Sequence, residues 1–141
     1  MSQKKTDILI IGLGLAGMTA AITAAKSGKK ITLITKTDKI SSGNTPLAQG
    51  GIVYQGLNDS PEKLKKDILE AGAGHCWEEA VDHLCEHGPK LVKDILIDTL
   101  NVQFDKQPET NTLKRVSEGA HSDARVIYHQ DKTGQSIHTA A

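Results

Sequence analysis

Aromatic side chains are scarce in this sequence: Tyr54, Trp77, Phe104 and Tyr128 are all it has among 141 residues. The stacking platforms that single-strand nucleic-acid binders build from such rings are hard to assemble from four. Net charge is lacking too, since seventeen basic residues balance seventeen acidic ones, which removes the electrostatic reason for nucleic acid or an anionic membrane as a partner. Cysteines number two, Cys76 and Cys85, separated by eight residues in a helical pattern. That spacing suits neither a disulfide framework nor a clustered zinc site, and a reducing cytoplasm is the expected setting. A long hydrophobic run is missing as well: Ile8 to Ala25 barely reaches the minimum of about 18 residues and is rich in Gly, Ala and Thr, so no membrane span is expected. The same stretch, preceded by Lys4-Lys5, has the outline of a secretion signal. Asp7 at its start, three glycines within it and a second strand-like run after it favour a folded unit instead. Neither a Gly-x-Ser-x-Gly elbow nor a phosphate-binding Gly-Lys-Ser/Thr occurs, so hydrolase and kinase readings lose their usual anchors.

What is present begins at Asp7. Ile8 to Ile11 has the continuous apolar character of a strand covered on both faces. It runs into Gly12-Leu13-Gly14-Leu15-Ala16-Gly17, and Met18, Ala21, Ile22 and Ala25 then recur at helical spacing until Gly28. Glycines in such a turn let the backbone approach a pyrophosphate, whose charge rests on the free amides of the helix N-terminus. Ile31 to Thr35 supplies the second strand of a right-handed βαβ unit. An NAD site would place a ribose-binding acid about 20 residues after the turn; here the strand ends in Thr35-Lys36, with Asp38 three positions late.

The segment from Lys36 to Ile52 is long, irregular and rich in small residues, and its Ala48-Gln49-Gly50-Gly51 end favours a wall around a ligand. Asp59-Ser60-Pro61-Glu62 starts a helix that ends at Gly72 and Gly74. A second helix carrying Trp77, Ala80, Val81 and Leu84 is expected to stop at Gly88-Pro89, and a third to carry Leu91, Val92, Ile95 and Leu96. Glu79, His83 and His87 share one side of the second helix, where a solvated face is the expectation rather than a metal site. Asn101 to Phe104 reads as a short strand, Gln107 to Arg115 as turns, Glu118 to Tyr128 as a charged, small-residue stretch that enters another strand-like run, and Gln135 to Ala141 as helical. These elements make the fold class α/β; with the cofactor that a family resemblance implies, it is a Rossmann-like FAD-binding βαβ domain with a helical insertion, truncated. Its divisions are 1–56 for the βαβ and flavin loop, 57–100 for the helical segment and 101–141 for an incomplete return to the first domain.

The flavin in that description comes from a resemblance. The ordered set of Gly12 to Gly17, Thr35-Lys36, Ser42-Gly43-Asn44-Thr45 with Ala48-Gln49-Gly50-Gly51-Ile52, Ala71-Gly72-Ala73-Gly74, and Glu118-Gly119-Ala120-His121-Ser122 with Arg125 and Asp131-Lys132-Thr133-Gly134 spans essentially the whole chain. It resembles the N-terminal part of the L-aspartate oxidase branch of the family that includes the flavoprotein subunits of succinate dehydrogenase and fumarate reductase. The resemblance implies that Gly12, Gly14, Leu15, Ala16 and Gly17 receive the FAD pyrophosphate and that Thr35 and Lys36 receive the adenosine side. Ser42, Gly43, Asn44, Thr45, Ala48, Gln49, Gly50 and Gly51 would take the flavin end. Asn44 stands where the respiratory branch has the histidine that holds flavin covalently, so the FAD is expected to be non-covalent. Glu118 stands where that branch has an apolar aromatic residue; a carboxylate there suits a substrate ammonium, with His121 in support.

The implied activity is oxidation of L-aspartate to iminoaspartate with oxygen or fumarate as acceptor, in NAD biosynthesis, the next enzyme of quinolinate synthesis being a partner. Pro46-Leu47 departs from the family's usual aromatic pair, and Ala120 from its glycine. The family's substrate-gripping arginines and histidines lie beyond these residues, so no catalytic residue is assigned within 1–141 and the chain alone is expected to be inactive. The alternatives are a flavoprotein of the succinate dehydrogenase or fumarate reductase type and a non-catalytic nucleotide-binding module.

Overall fold

The computed structural model describes residues 5–141; the Lys4 half of the secretion-signal reading lies outside them. The run after it forms strand β1 (Ile8–Ile11), a glycine turn and helix α1 (Leu15–Ala25), followed by β2 (Ile31–Ile34). The two strands pair in parallel, Ile8 opposite Ile31 and Ile11 opposite Ile34. Asp7 fixes one end of the pair, its backbone N–H donating to Lys30 O at 2.9 Å and its carboxylate accepting from Lys30 N at 2.8 Å. The expected cover on both faces is not found: Ile8 and Ile10 are half-buried, whereas Leu9 is 52 % and Ile11 79 % exposed. Two strands and one crossover helix cover one face of a sheet and leave the other bare.

Beyond the irregular segment, with one 3₁₀ turn at Thr45–Leu47, come β3 (Ile52–Val53) and α2 (Pro61–Ala71). Ser60 caps α2 by accepting from Lys63 N at 3.3 Å, with Pro61 in the first turn; this is the start the Asp-Ser-Pro-Glu sequence demands. Helix α3 (Glu78–Leu91) does not stop at Gly88-Pro89. It carries Pro89 within it and passes directly into a π-helical segment, Val92–Thr99. A proline removes one backbone donor and crowds the preceding turn, but Val81 and Cys85 before the fault and Val92 and Leu96 after it are all buried. That burial holds the helix through the fault, and the expected second and third helices are one.

Asn101 to Phe104 is not a strand either. Asn101 adopts a left-handed φ of 51°, and Val102 N donates back to Leu96 O at 2.9 Å. Val102 and Phe104 thereby enter the main core with Val92, Leu96, Ile127 and Ile137. Strand β4 (Val126–Ile127) pairs antiparallel with β3, Ile52 opposite Ile127, and α4 (Thr133–Ala140) closes the core through Ile137. A smaller core of Leu64, Val81 and Cys85 joins α2 to α3. Among the described residues no helix is long and apolar enough to cross a membrane.

Candidate functional site

Two stretches far apart in sequence meet around the glycine turn. Gly12 N donates to Ile34 O at 2.8 Å, which lays Thr35-Lys36 alongside the turn. Gly12 has φ +117° with open space around it, and a Cβ at Gly17 would overlap the Gly12 carbonyl oxygen. Helix and turn touch there, backbone to backbone, and only glycine fits. The first-turn amides of α1 have no intrahelical acceptors. Leu15 N is already engaged, donating to Thr45 Oγ1 at 3.0 Å, so Ala16 and Gly17 are the amides left to face an anion. The open turn, the close helix packing and these two amides fit a dinucleotide pyrophosphate.

The Leu15–Thr45 bond also pins the loop from Ser42 to Gly51 to the helix start. From the other side, Gly134 N donates to Ala48 O at 2.9 Å, and a Cβ at Gly134 would lie 2.8 Å from Ala48 Cβ and overlap Thr45 O. Helix α4 thus buttresses this loop at Thr45 and Ala48. Asn44, Ala48, Gln49, Gly50 and Gly51 remain exposed, as do Ser42 and Gly43.

The Glu118–Ser122 loop reaches the same place. A Cβ at Gly50 would meet Glu118 Oε1 at 3.7 Å, and His121 lines a cavity of about 540 Å³ together with Gly51 and Ile52. The loop is closed by His121 N donating to Glu118 O at 3.1 Å and Ser117 Oγ donating to His121 O at 3.0 Å. Ala120 takes a left-handed φ of 68°, a conformation that costs a residue with a Cβ about 1–2 kcal/mol. Ala120→Gly is therefore expected to stabilise the chain by up to about 1 kcal/mol after the added unfolded-state entropy. The check is a rise in urea midpoint at unchanged slope.

In the sequence Arg125 stands out only as a motif position, and the helices carry no residues arranged for chemistry. The structure makes Arg125 the hub of a network that ties α2 to the Glu118–Ser122 loop. Its side chain is wholly buried. Nε and Nη2 donate to the two oxygens of Asp59 at 2.7 and 2.8 Å, and Nη1 donates to Asp67 Oδ2 at 2.5 Å. Asp67 Oδ2 also accepts from Ser122 N and Oγ at 2.8 and 2.9 Å. A signal was available: a lone arginine entering a β-branched run has to bring acids with it, because a buried charge needs a partner.

Hydrogen bonds from Arg125 and then from Ser122 hold the Asp67 carboxyl down at about 2. Burial pushes Asp59 up, but its bonds from Arg125, Gly56 and Ser60 outweigh that and its net shift is downward. Groups with a depressed folded pKa contribute stability above the unfolded value near 4 that is lost as pH falls through the folded value. The chain should hold its melting temperature down to about pH 4 and lose it progressively toward pH 2, followed by circular dichroism. Elsewhere, His83 and His87 stack edge to face at 4.6 Å, and no group of three or more metal-ligating side chains occurs among the described residues.

A helix N-terminus behind a Gly-x-Gly-x-x-Gly turn, walled by a glycine-rich loop, defines a dinucleotide-binding α/β flavoprotein domain. The chain belongs to the FAD binding domain family, which matches residues 7–141, and FAD is its cofactor. The L-aspartate oxidase of Halobacterium salinarum is 41 % identical over 94 % of this chain and 25 % of its own length. The chloroplastic L-aspartate oxidase of Arabidopsis thaliana is 37 % identical over 99 % of this chain and 21 % of its own. E. coli quinol fumarate reductase FrdA superposes with a TM-score of 0.86 at 26 % identity, over 99 % of this chain and 24 % of that one. The chain thus spans about a quarter of the length of the curated relatives it matches.

Proposed function

We propose that this chain is the FAD-binding portion of an L-aspartate oxidase, an enzyme that converts L-aspartate to iminoaspartate in NAD biosynthesis. The observation that carries the reading is the position of Glu118, a carboxylate standing against Gly50 of the flavin loop. Bound FAD supplies the acceptor for the hydride leaving the substrate Cα. The chain's own residues bind and orient. Ala16 and Gly17 amides face the pyrophosphate, Thr35 and Lys36 the adenosine side, and the loop from Ser42 to Gly51 the flavin end. Glu118 accepts from the substrate ammonium, an interaction no succinate offers. Asn44 has no imidazole to bond to the flavin, so the cofactor is held without a covalent link. Two free thiols, Cys76 and Cys85, fit a reducing cytoplasm. Oxygen or fumarate as acceptor and the next enzyme of quinolinate synthesis as partner belong to the same reading.

The superposition on fumarate reductase favours a second reading, a dicarboxylate flavoprotein of the respiratory type. Adding FAD to the purified chain, desalting and recording the visible spectrum tests the cofactor site: a retained yellow chromophore that is released on denaturation is expected. A chain that stays colourless overturns a self-sufficient site and leaves a non-catalytic module. Assaying the full-length gene product on aspartate and succinate decides the branch, and faster turnover of succinate rejects the aspartate assignment.

A further inference from the structure

Arginine nitrogens only donate, whereas a neutral imidazole offers one donor and one acceptor. Arg125 Nη1 lies 2.9 Å from His121 Nδ1. Nδ1 must therefore be the acceptor, and the ring proton belongs on Nε2. Arg125 has no freedom to do otherwise: it is wholly buried, two of its donors are fixed on Asp59, and the other hydrogen of Nη1 is on Asp67. Asp67 in turn holds the loop backbone at Ser122 N, one residue after His121.

We infer that Arg125, oriented by Asp59 and Asp67, is a positioning residue that locks His121 in its Nε2–H tautomer and makes it a fixed hydrogen-bond donor beside Glu118. The loop then presents an acceptor, Glu118, and a donor, His121, at the edge of the Gly50–Gly51 segment. That pair is complementary to a substrate carrying both an ammonium and a carboxylate; this deepens the aspartate reading and its substrate half rests on it. Helix α2 becomes part of the site at one remove, because Asp67 is the group through which it sets the loop.

The tautomer is read by long-range proton–nitrogen correlation across the histidine rings of the 15N-labelled chain near neutral pH. His121 is expected to show its proton on Nε2 alone. Arg125→Met removes the donor that makes Nδ1 the acceptor, and both tautomers of His121 are then expected in comparable amounts at low temperature, where the remaining amide spectrum stays dispersed. A proton on Nδ1 in the unsubstituted chain, or a mixture there, overturns the inference, as does an unchanged tautomer in folded Arg125→Met. If that variant does not fold, the unsubstituted chain alone decides. No substrate enters the measurement, so its failure leaves the aspartate reading standing, and rejection of aspartate as substrate leaves the tautomer result standing.

Discussion

Gly17→Ala should weaken FAD binding about a hundredfold. The new methyl would overlap Gly12 O, and it would lie 3.1 Å from Gly12 C and 3.6 Å from Ile10 Cγ2. Two of these three neighbours are backbone atoms of the turn itself, which cannot rotate away as a side chain would. Overpacking costs about 1–3 kcal/mol, and with no compliant neighbour the upper end applies. Relief requires α1 to move off the turn, carrying the Ala16 and Gly17 amides away from the pyrophosphate, so the cost falls on the bound state as well as on the fold. About 3 kcal/mol is a hundredfold in affinity. Gly88→Ala is the control: it lies within α3, away from the glycine turn, and the added Cβ would meet only the Leu84 side chain, at 3.5 Å. It should bind FAD within a few-fold of the parent. Titration followed by flavin fluorescence measures both, and the melting temperature without FAD reports the Gly17 clash by itself. Equal affinities for the two variants would mean that this turn does not hold the cofactor.

How much of this was legible beforehand follows the range of the interactions. The βαβ unit is local: its strands, its crossover helix and its glycine turn are written in about thirty contiguous residues, and the structure returns them within two residues at each boundary, with Gly28 left-handed past the helix end as expected. The helix cap at Ser60 is equally local. Pro89 misled because a breaker was weighed without the burial of Val81, Cys85, Val92 and Leu96, which decides the matter and depends on partners in other segments. Asn101 to Phe104 misled because alternating apolar residues fit a strand and an irregular core segment alike. At the site, the motifs marked loops that the structure brings together, but not what links them. The Leu15–Thr45 bond joins positions 30 apart, and the bonds from Arg125 to Asp59 and Asp67 span 66 and 58. No spacing rule reaches that far, and Asp59 and Asp67 look in sequence like ordinary members of a capped, charged helix.

Arg125→Met should destabilise the chain by about 3–5 kcal/mol, the range for removing one partner of a buried ion pair. A domain of this size typically has only about 5–15 kcal/mol in total, so partial unfolding at 37 °C is the expected result. Methionine replaces the volume of the arginine stem well; what is lost is charge compensation. Asp59, with a side chain only 4 % exposed, keeps its bonds from Gly56 N and Ser60 N, and Asp67 keeps those from Ser122. Neither carboxylate retains a cation. This gives the variant a signature that a simple packing defect lacks. In the parent both acids have depressed pKa values, so stability falls with acid. In Arg125→Met the burial of Asp59 is no longer outweighed by the guanidinium; its folded pKa rises above the unfolded one, and stability should increase as pH is lowered from 7 toward 5. Asp59→Asn placed on Arg125→Met should recover part of the loss at pH 7 and flatten that slope, since the amide has no charge to strand. Urea unfolding of the parent, the single and the double variant at two pH values measures all of this. A single variant whose stability is independent of pH would show that the network is held by packing rather than by charge.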